Sequence, residues 1–246
     1  MKKEHSRDRI APAEPLIIIP PAPEKLAEAL RNQIKSSSWY APLRMYCLGS
    51  DLDNIAKTLL EDYSLSFRLS PHMINVFRAF KETDFSKVKV VIYTSQMNPG
   101  ILRYTGIVYS QDMTNAPDSA LKEINRELAR TIPDSKPKIS LLDWCHQGVL
   151  LLPNALTTIL GQEGAHVELW KNFNNTLFDL FRHNLADAIY VLIGEGTWAR
   201  SYDLHKDSVV IKADVTNCNF PAIWGEDVFA RANTELKFKG RTPINW

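Results

Sequence analysis

The chain has 246 residues, of which 45% are hydrophobic and 23% charged, a mixture typical of a globular protein with a sizeable core. It has no apolar run long enough to cross a bilayer, and its first residues lack the apolar stretch of a secretion signal. These features exclude a membrane-spanning role and predict a cytoplasmic protein, while the net charge of +1 neither requires nor excludes nucleic acid.

The three cysteines, Cys47, Cys145 and Cys218, lie far apart along the chain. Their odd number and the lack of a CxxC spacing argue against a disulfide framework and against a zinc or iron–sulfur site. We therefore expect no metal and no cofactor.

Residues 1–23 are polar and then rich in proline, which favours an extended N-terminal arm. Residues 24–246 show no linker or repeat, and a single α/β domain is expected there. Apolar residues at helical spacing predict helices over residues 24–35 and 52–63, and another within residues 67–80.

The rest of the chain alternates short apolar runs with helical patterns. Strands are predicted over residues 87–93, 148–152, 188–193 and 209–211, and helices over residues 119–130, 167–183 and 224–234. This alternation indicates a three-layer α/β sandwich around a central, mostly parallel four-stranded sheet. Ligands bind such sheets at the carboxyl ends of the strands, so the turns that follow the strands are where chemistry is expected.

Several segments, in chain order, resemble the uracil-DNA glycosylase superfamily. Residues 143–152 (DWCHQGVLLL) resemble the family's W-x-x-Q-G-V-L-L-L-N strand, residues 119–128 a family helix, and residues 239–246 its K-x-P-I-D-W ending. The ordered set covers roughly residues 85–246 and is far more specific than GVLLL alone. The resemblance implies a uracil-DNA glycosylase-like fold and a monofunctional DNA N-glycosylase, which flips a base out of DNA and hydrolyses its N-glycosyl bond.

The first catalytic motif departs from the family pattern. Family-1 enzymes have G-Q-D-P-Y-H after the first strand, where Asp positions the water and Tyr blocks 5-substituted pyrimidines. This chain has Gln96-Met97-Asn98-Pro99-Gly100, which resembles the G-M-N-P-G of the single-strand-selective and mismatch-specific branches, with Gln96 in place of their first glycine. The resemblance assigns Asn98 to the water and Met97 and Gly100 to the base pocket. The alternative is a simple Asn-Pro-Gly turn.

These substitutions have chemical consequences, because glycosidic cleavage builds positive charge on the sugar and negative charge on the base. The Asn98 carbonyl can hold a water against the sugar, but an amide cannot accept a full proton, which predicts slow chemistry unless the leaving base is well stabilised. Gly100 leaves an opening beside pyrimidine C5, so thymine, 5-hydroxymethyl or larger groups should be tolerated. Alternatively, Tyr93 or Tyr104 refills that opening.

The second family motif, H-P-S-P-L-S, falls on residues 213–220, where its histidine is absent. Asp214 and Asn217 are the candidates to act on the leaving base. Asp214 would accept a hydrogen bond from an amino group such as cytosine N4, which slightly favours a cytosine-type base, unless it is a solvated loop carboxylate. Phe220 is the candidate wedge that fills the stack after flipping, or else a loop anchor.

Two more residues are candidates to bind the base. Tyr109, in Gly106-Ile107-Val108-Tyr109-Ser110, resembles the family Phe that stacks on the flipped base; the alternative is a core aromatic. Pro153 displaces the family's base-reading Asn, which leaves Asn154 to bind N3 and the C4 substituent, unless it caps the strand end.

Charged side chains on neighbouring segments are candidates to bind DNA phosphates. The candidates are Arg103, Arg200 and Lys212. The alternative is that each is a solvated surface charge. His146 and His166 lie in segments that match the family, and we interpret both as structural.

The expected function is therefore excision of a 5-substituted pyrimidine by a monomer that leaves an abasic site. A sugar on 5-hydroxymethylcytosine would fit an opened pocket, and such bases occur in viral DNA, which points toward anti-phage glycosylases of the superfamily. The alternatives are a uracil or thymine repair glycosylase, a catalytically inactive DNA-binding relative, and a structural protein such as a polymerase processivity partner.

Overall fold

The computed structural model describes residues 22–95, 105–110, 119–162, 164–213 and 227–246. All but the last two residues of the predicted N-terminal arm lie outside these ranges, so the arm and its boundary stay predictions. Among the described residues, none of the helices combines the length and the apolar character that crossing a membrane requires.

The N-terminal third is helical and packs as a group. It contains α1 (Pro23–Lys35), α2 (Tyr40–Leu48), α3 (Asp51–Ser64) and the short α4 (Arg78–Glu82), with single 3-10 turns at Met73–Asn75 and Phe85–Lys87. Helix α1 starts at a proline. Proline lacks an N–H, and this costs nothing here because N–H groups in the first turn of a helix have no intrahelical partner. Its buried residues recur on one face, which packs against α2, α3 and α4.

The central sheet has the order β3-β2-β5-β6, and all its strand pairs are parallel. Its strands are β2 (Val90–Thr94), β3 (Val149–Pro153), β5 (Ile189–Ile193) and β6 (Val209–Ala213). Every residue of β2, β3 and β5 is buried, as a parallel sheet covered on both faces requires. A separate two-stranded antiparallel sheet pairs β1 (Leu69–Ser70) with β4 (Thr158–Ile159).

The remaining helices cover the sheet. They are α5 (Ser119–Thr131), α6 (Leu142–His146), α7 (Lys171–Asn184), α8 (Glu195–Trp198), which continues into a 3-10 turn at Ala199–Asp203, and α9 (Val228–Phe238). Helix α7 packs its Phe178 ring 5.0 Å from that of Tyr93, edge to face. Helix α9 packs on β5 and β6, and its Phe229 contacts Trp144 and Trp246. The predicted three-layer α/β sandwich with a parallel four-stranded sheet is confirmed.

Sequence patterns located the main elements but missed several local ones. The four strands lie within three residues of their predicted positions, and the helix predicted over residues 224–234 is described as Val228–Phe238. The helix predicted within residues 67–80 is mostly wrong, because Leu69 and Ser70 pair with β4 and only the short α4 begins there. Helix α2 was not predicted; its Pro42 is tolerated because it lies in the first turn.

Gly148 is the point where the chain enters β3 against β2. Its φ is 96°, and a Cβ built on it would lie 2.1 Å from the carbonyl oxygen of Lys87. The close approach allows Lys89 N–H to donate to the Gly148 carbonyl at 2.8 Å. The preceding Gln147 binds the backbone of Asn245 in both directions, at 2.7 and 3.2 Å. The Gln-Gly pair of the GVLLL segment therefore has a structural role.

Replacement of Gly148 with alanine should lower the free energy of unfolding by about 2–5 kcal/mol, because backbone strain adds to a clash. Urea unfolding followed by circular dichroism measures the effect. Gly161→Ala is the matched control: φ is 79° there, but nothing lies within 4 Å of the added Cβ, so a loss of only about 1–2 kcal/mol is expected. Equal losses in the two variants would show that the contact with Lys87 is unimportant.

Candidate active site at the carboxyl edge of the sheet

The four strands of the central sheet end level with one another. Thr94 lies opposite Pro153 and Ile193, and Ile193 lies opposite Ala213. Backbone pairing continues one step beyond the strands: Asn154 N–H donates to the Thr94 carbonyl at 2.8 Å. Both catalytic motifs predicted from the sequence follow strands of this edge, since β2 ends at Thr94 and β6 ends at Ala213.

Tyr109 reaches the end of β2 from the loop at residues 105–110. Its hydroxyl donates a hydrogen bond to Thr94 Oγ1 at 2.8 Å, and the half-buried ring packs against the core. Its φ of 64° is in the left-handed region, which a bulky side chain rarely adopts. The loop is held from both sides, because Arg78 donates to the Thr105 carbonyl and Leu141 N–H donates to Ser110 Oγ. The structure thus places the predicted stacking residue at the carboxyl edge.

Asn154 follows β3, is half-buried and also contacts Thr94. Its backbone is held twice, because its N–H donates to Thr94 and its carbonyl accepts from Asn174 Nδ2 at 2.5 Å. Asn174 is a buried residue of α7, 5% exposed. In the described part of the chain, no hydrogen bond to the side-chain amide of Asn154 is found, which argues against the strand-cap alternative. The amide therefore keeps its donor and its acceptor for a ligand.

Tyr93 and Arg200 are both engaged on the α7 side of the sheet. Tyr93 is 2% exposed with its ring on Phe178, and burial raises its pKa to about 12. The Arg200 guanidinium lies over the same Phe178 ring, 4.6 Å from its centroid, and donates to Asp203 and Asn175. The Arg200 side chain is thus half-buried and has partners within the fold, and its contact with phosphate stays a prediction. The opening predicted at Gly100 lies outside the described residues, so the alternative that Tyr93 fills it stays a prediction.

Lys212 is the remaining described residue with a predicted DNA contact. It is exposed on β6, one residue before the carboxyl end of the strand, and has no ion pair with any described residue. Its contact with phosphate stays a prediction. The roles of the other candidates also stay predictions, because these residues lie outside the described ranges, as does Tyr104. They are Met97, Asn98, Gly100, Arg103, Asp214, Asn217 and Phe220.

Sequence reasoning missed Thr94 and Asn174. Thr94 ends an apolar strand and Asn174 lies within an amphipathic helix, and neither position belongs to a motif. Only their buried contacts show that one holds Tyr109 and both hold the backbone of Asn154. Among the described residues, no cluster of His, Cys, Asp and Glu side chains could hold a metal ion.

His166 belongs to a buried network that joins α3 to the segment before α7. Trp170 Nε1–H donates to Thr157 Oγ1 at 2.7 Å, which leaves the Thr157 hydroxyl to donate to His166 Nδ1 at 2.9 Å. The His166 Nε2–H then donates to Asp62 at 3.0 Å. Burial lowers the pKa of His166, against the opposing effect of Asp62, and a neutral histidine results. These contacts support the structural role that we predicted; the other predicted structural histidine, His146, is exposed beside Glu82.

The chain resembles uracil-DNA glycosylases in both sequence and structure, although it matches no protein-family model. It is 30% identical to the uracil-DNA glycosylase of Dichelobacter nodosus over 197 residues, which cover 78% of this chain and 86% of that protein. Identity to the enzyme of Acinetobacter baylyi is 27% over 215 residues, with 85% and 91% covered. The crystal structure of mimivirus uracil-DNA glycosylase superposes with a TM-score of 0.77 at 20% identity, covering 91% of this chain and 92% of that one.

The class that these similarities define is the DNA N-glycosylases, hydrolases of N-glycosyl bonds, as the sequence predicted. The identity to the Dichelobacter protein over most of both chains shows that this chain belongs to the uracil-DNA glycosylase family.

The buried His166 predicts how stability depends on pH. Because its pKa is lower in the folded protein than the usual value of about 6.5, acid favours the unfolded chain, which takes up the proton more readily. Its contribution is complete above about pH 6.5 and falls as the pH decreases, by at most about 1.4 kcal/mol per pH unit. Urea unfolding at pH 5 to 8 should show this slope, and His166→Gln should remove it. Exposed His146→Gln is the control, and the same slope in both variants would contradict the prediction.

Proposed function

We propose that this protein flips a 5-substituted pyrimidine out of DNA and hydrolyses its N-glycosyl bond, leaving an abasic site. The proposed substrate is glucosylated 5-hydroxymethylcytosine in phage DNA, excised in the cytoplasm as a host defence by a monomer without metal or cofactor. One observation carries the proposal: the Tyr109 hydroxyl and the Asn154 backbone N–H both bind Thr94 at the carboxyl edge of the sheet, while the Asn154 side-chain amide has no hydrogen bond with any described residue.

An aromatic ring beside an amide is suited to hold a flipped base. Stacking on an aromatic side chain contributes about 1–3 kcal/mol per base and is available to every base, because every base has a π-face. The Asn154 amide can donate and accept, so it can bind both N3 and the group at C4 of a pyrimidine. The ring would therefore supply affinity, and the amide would supply selectivity for the pyrimidine edge.

The preference for a 5-substituted base rests on the sequence of the first motif. Gly100 stands where family-1 enzymes have a tyrosine that blocks C5, and the Tyr93 ring packs against Phe178 of α7. The histidine of the second motif is absent, and Asp214 is a candidate in its place; a carboxylate is better matched to a cytosine amino group than to the uracil O4. Together these substitutions favour a cytosine-type base with a large group at C5.

The chemistry assigns different tasks to the two motifs. Asn98 holds the attacking water at C1′ through its carbonyl oxygen. Asn217 donates a hydrogen bond to the departing base, and the Asp214 carboxylate accepts one from its C4 amino group. Phe220 fills the gap left in the stack, and Arg103 and Lys212 bind phosphates.

Uracil or thymine repair is the second candidate, because the bacterial relatives are named uracil-DNA glycosylases. A tyrosine at position 100 would exclude thymine, whereas a glycine admits uracil, thymine and pyrimidines with larger groups at C5. Comparison of excision rates on bases that differ at C4 and C5 therefore separates the two candidates. An inactive relative would bind these DNAs and cleave none.

The proposal is tested with oligonucleotides that carry one uracil, thymine, 5-hydroxymethyluracil, 5-hydroxymethylcytosine or its glucosylated form, and alkali cleavage reports abasic sites. We expect the glucosylated base to be excised fastest, and Asn98→Ala to slow this by on the order of 100-fold, since the water loses its acceptor. The control is Asn184→Ala, an exposed amide at the end of α7. Binding without excision across the panel would refute the enzymatic proposal, and fastest excision of uracil would favour repair.

The opening at C5 is tested separately with Gly100→Tyr. A tyrosine ring should abolish excision of the 5-substituted bases through steric collision, while any excision of uracil is retained. Gly100→Ala is the matched control, and its methyl group should reduce only the rates on the largest substituents. A uniform loss on all bases in Gly100→Tyr would show that the residue shapes the turn and not the pocket.

A further inference from the structure

We infer that Thr94 is a positioning residue that holds the stacking ring and the base-reading amide in a fixed relation to each other. The inference deepens the proposed function and rests on it, because it assumes that Tyr109 and Asn154 bind the base. Nothing in the sequence marks Thr94, which lies at the end of an apolar strand.

Thr94 contacts the two base-binding residues through different groups. Its side-chain oxygen accepts the Tyr109 hydroxyl at 2.8 Å, and its backbone carbonyl accepts the Asn154 N–H at 2.8 Å. Thr94 itself is fully buried and paired in register with Pro153 and Ile193. One residue of β2 thus binds both of the residues that are proposed to hold the base.

The hydroxyl of Tyr109 makes this device possible. A phenylalanine ring at this position would be oriented by packing alone, whereas the tyrosine ring is also anchored at its far end. The loop that carries it has a left-handed backbone at Tyr109 itself, and such a backbone persists only where the surroundings hold it. The Thr94 hydrogen bond is one of the contacts that hold it.

The second contact is reinforced from α7. Asn174 donates to the Asn154 carbonyl, so both backbone groups of Asn154 are fixed while its side chain is left for the base. In a pocket open at C5, the wall beside the pyrimidine contributes little to its orientation. The fixed ring and the fixed amide must then orient the base, and loss of either contact should reduce productive binding more for bulky bases than for small ones.

The test compares Thr94→Val, Thr94→Ser, Tyr109→Phe and the double variant Thr94→Val/Tyr109→Phe. Single-turnover excision gives the rate and the half-saturating enzyme concentration, and 2-aminopurine fluorescence beside the target base reports flipping. Since one hydrogen bond is lost, Thr94→Val and Tyr109→Phe should each lower excision efficiency by about 3- to 10-fold. The excision efficiency of the double variant should fall no further than that of the less active single variant. The efficiency of Thr94→Ser should be within about twofold of wild type.

Thr83→Val is the matched control for a merely structural effect. Thr83 is also fully buried, and its hydroxyl donates to the Val149 carbonyl at the opposite end of the sheet. This variant should lose thermal stability while keeping flipping and excision efficiency. If Thr94→Val fails to fold, Tyr109→Phe removes the same hydrogen bond from the other partner.

Additive losses in the double variant, failure of Thr94→Ser to restore function, or an equal loss in Thr83→Val would overturn the inference. If the wild-type protein excises no base but still flips one, the proposed function fails, and the flipping signal of the same variants decides the inference. If the wild-type protein does not flip any base of the panel, both are overturned.

Discussion

The parallel register of four buried strands is the constraint on which the rest of this protein depends. Because β3, β2, β5 and β6 end level with one another, the segments that follow them start at one edge of the sheet. Helices cover both faces of this sheet, and every residue of β2, β3 and β5 is buried. The pairing continues past the strands to Asn154, so the edge is rigid where a ligand would bind.

Helix α7 links the stability of the sheet to the geometry of that edge. Its Phe178 and Phe181 pack on Tyr93 and Tyr190, and one turn nearer its start Asn174 holds the carbonyl of Asn154. The same helix thus supplies apolar burial along the strands and a polar contact at their ends. The Arg200 charge is contained in this layer, stacked on Phe178 and paired with Asp203.

The family frame and the departures from it have different physical origins. The matched segments are mainly those that build the fold: Gly148 is required by the close approach of Lys87, and the chain end is held by Gln147 and Asn233. The departures fall in the two catalytic motifs. The first, residues 96–100, follows β2, and the second, residues 213–220, begins at the last residue of β6. Such a chain can keep the stability of its family while its substrate changes, because the two sets of residues hardly overlap.

Much of the fold followed from the sequence alone. Period-2 and period-3.6 patterns depend on local geometry, so the four strands and most long helices were predicted within a few residues. The motifs likewise pointed to Tyr109 and Asn154, because their neighbours in the chain resemble family segments.

Only the tertiary structure decided which polar groups are used within the fold and which are left for a ligand. The sequence gives the same prediction, a phosphate contact, for Arg200 and Lys212. In the structure, Arg200 pairs with Asp203 and contacts α7, whereas Lys212 is exposed and has no ion pair in the described ranges. Thr94 and Asn174 gain their roles from residues 15 and 20 positions away, through hydrogen bonds that exist only when strand, loop and helix are assembled. Local sequence patterns do not predict such distant hydrogen bonds, because these bonds depend on how the elements pack and not on the order of neighbouring side chains.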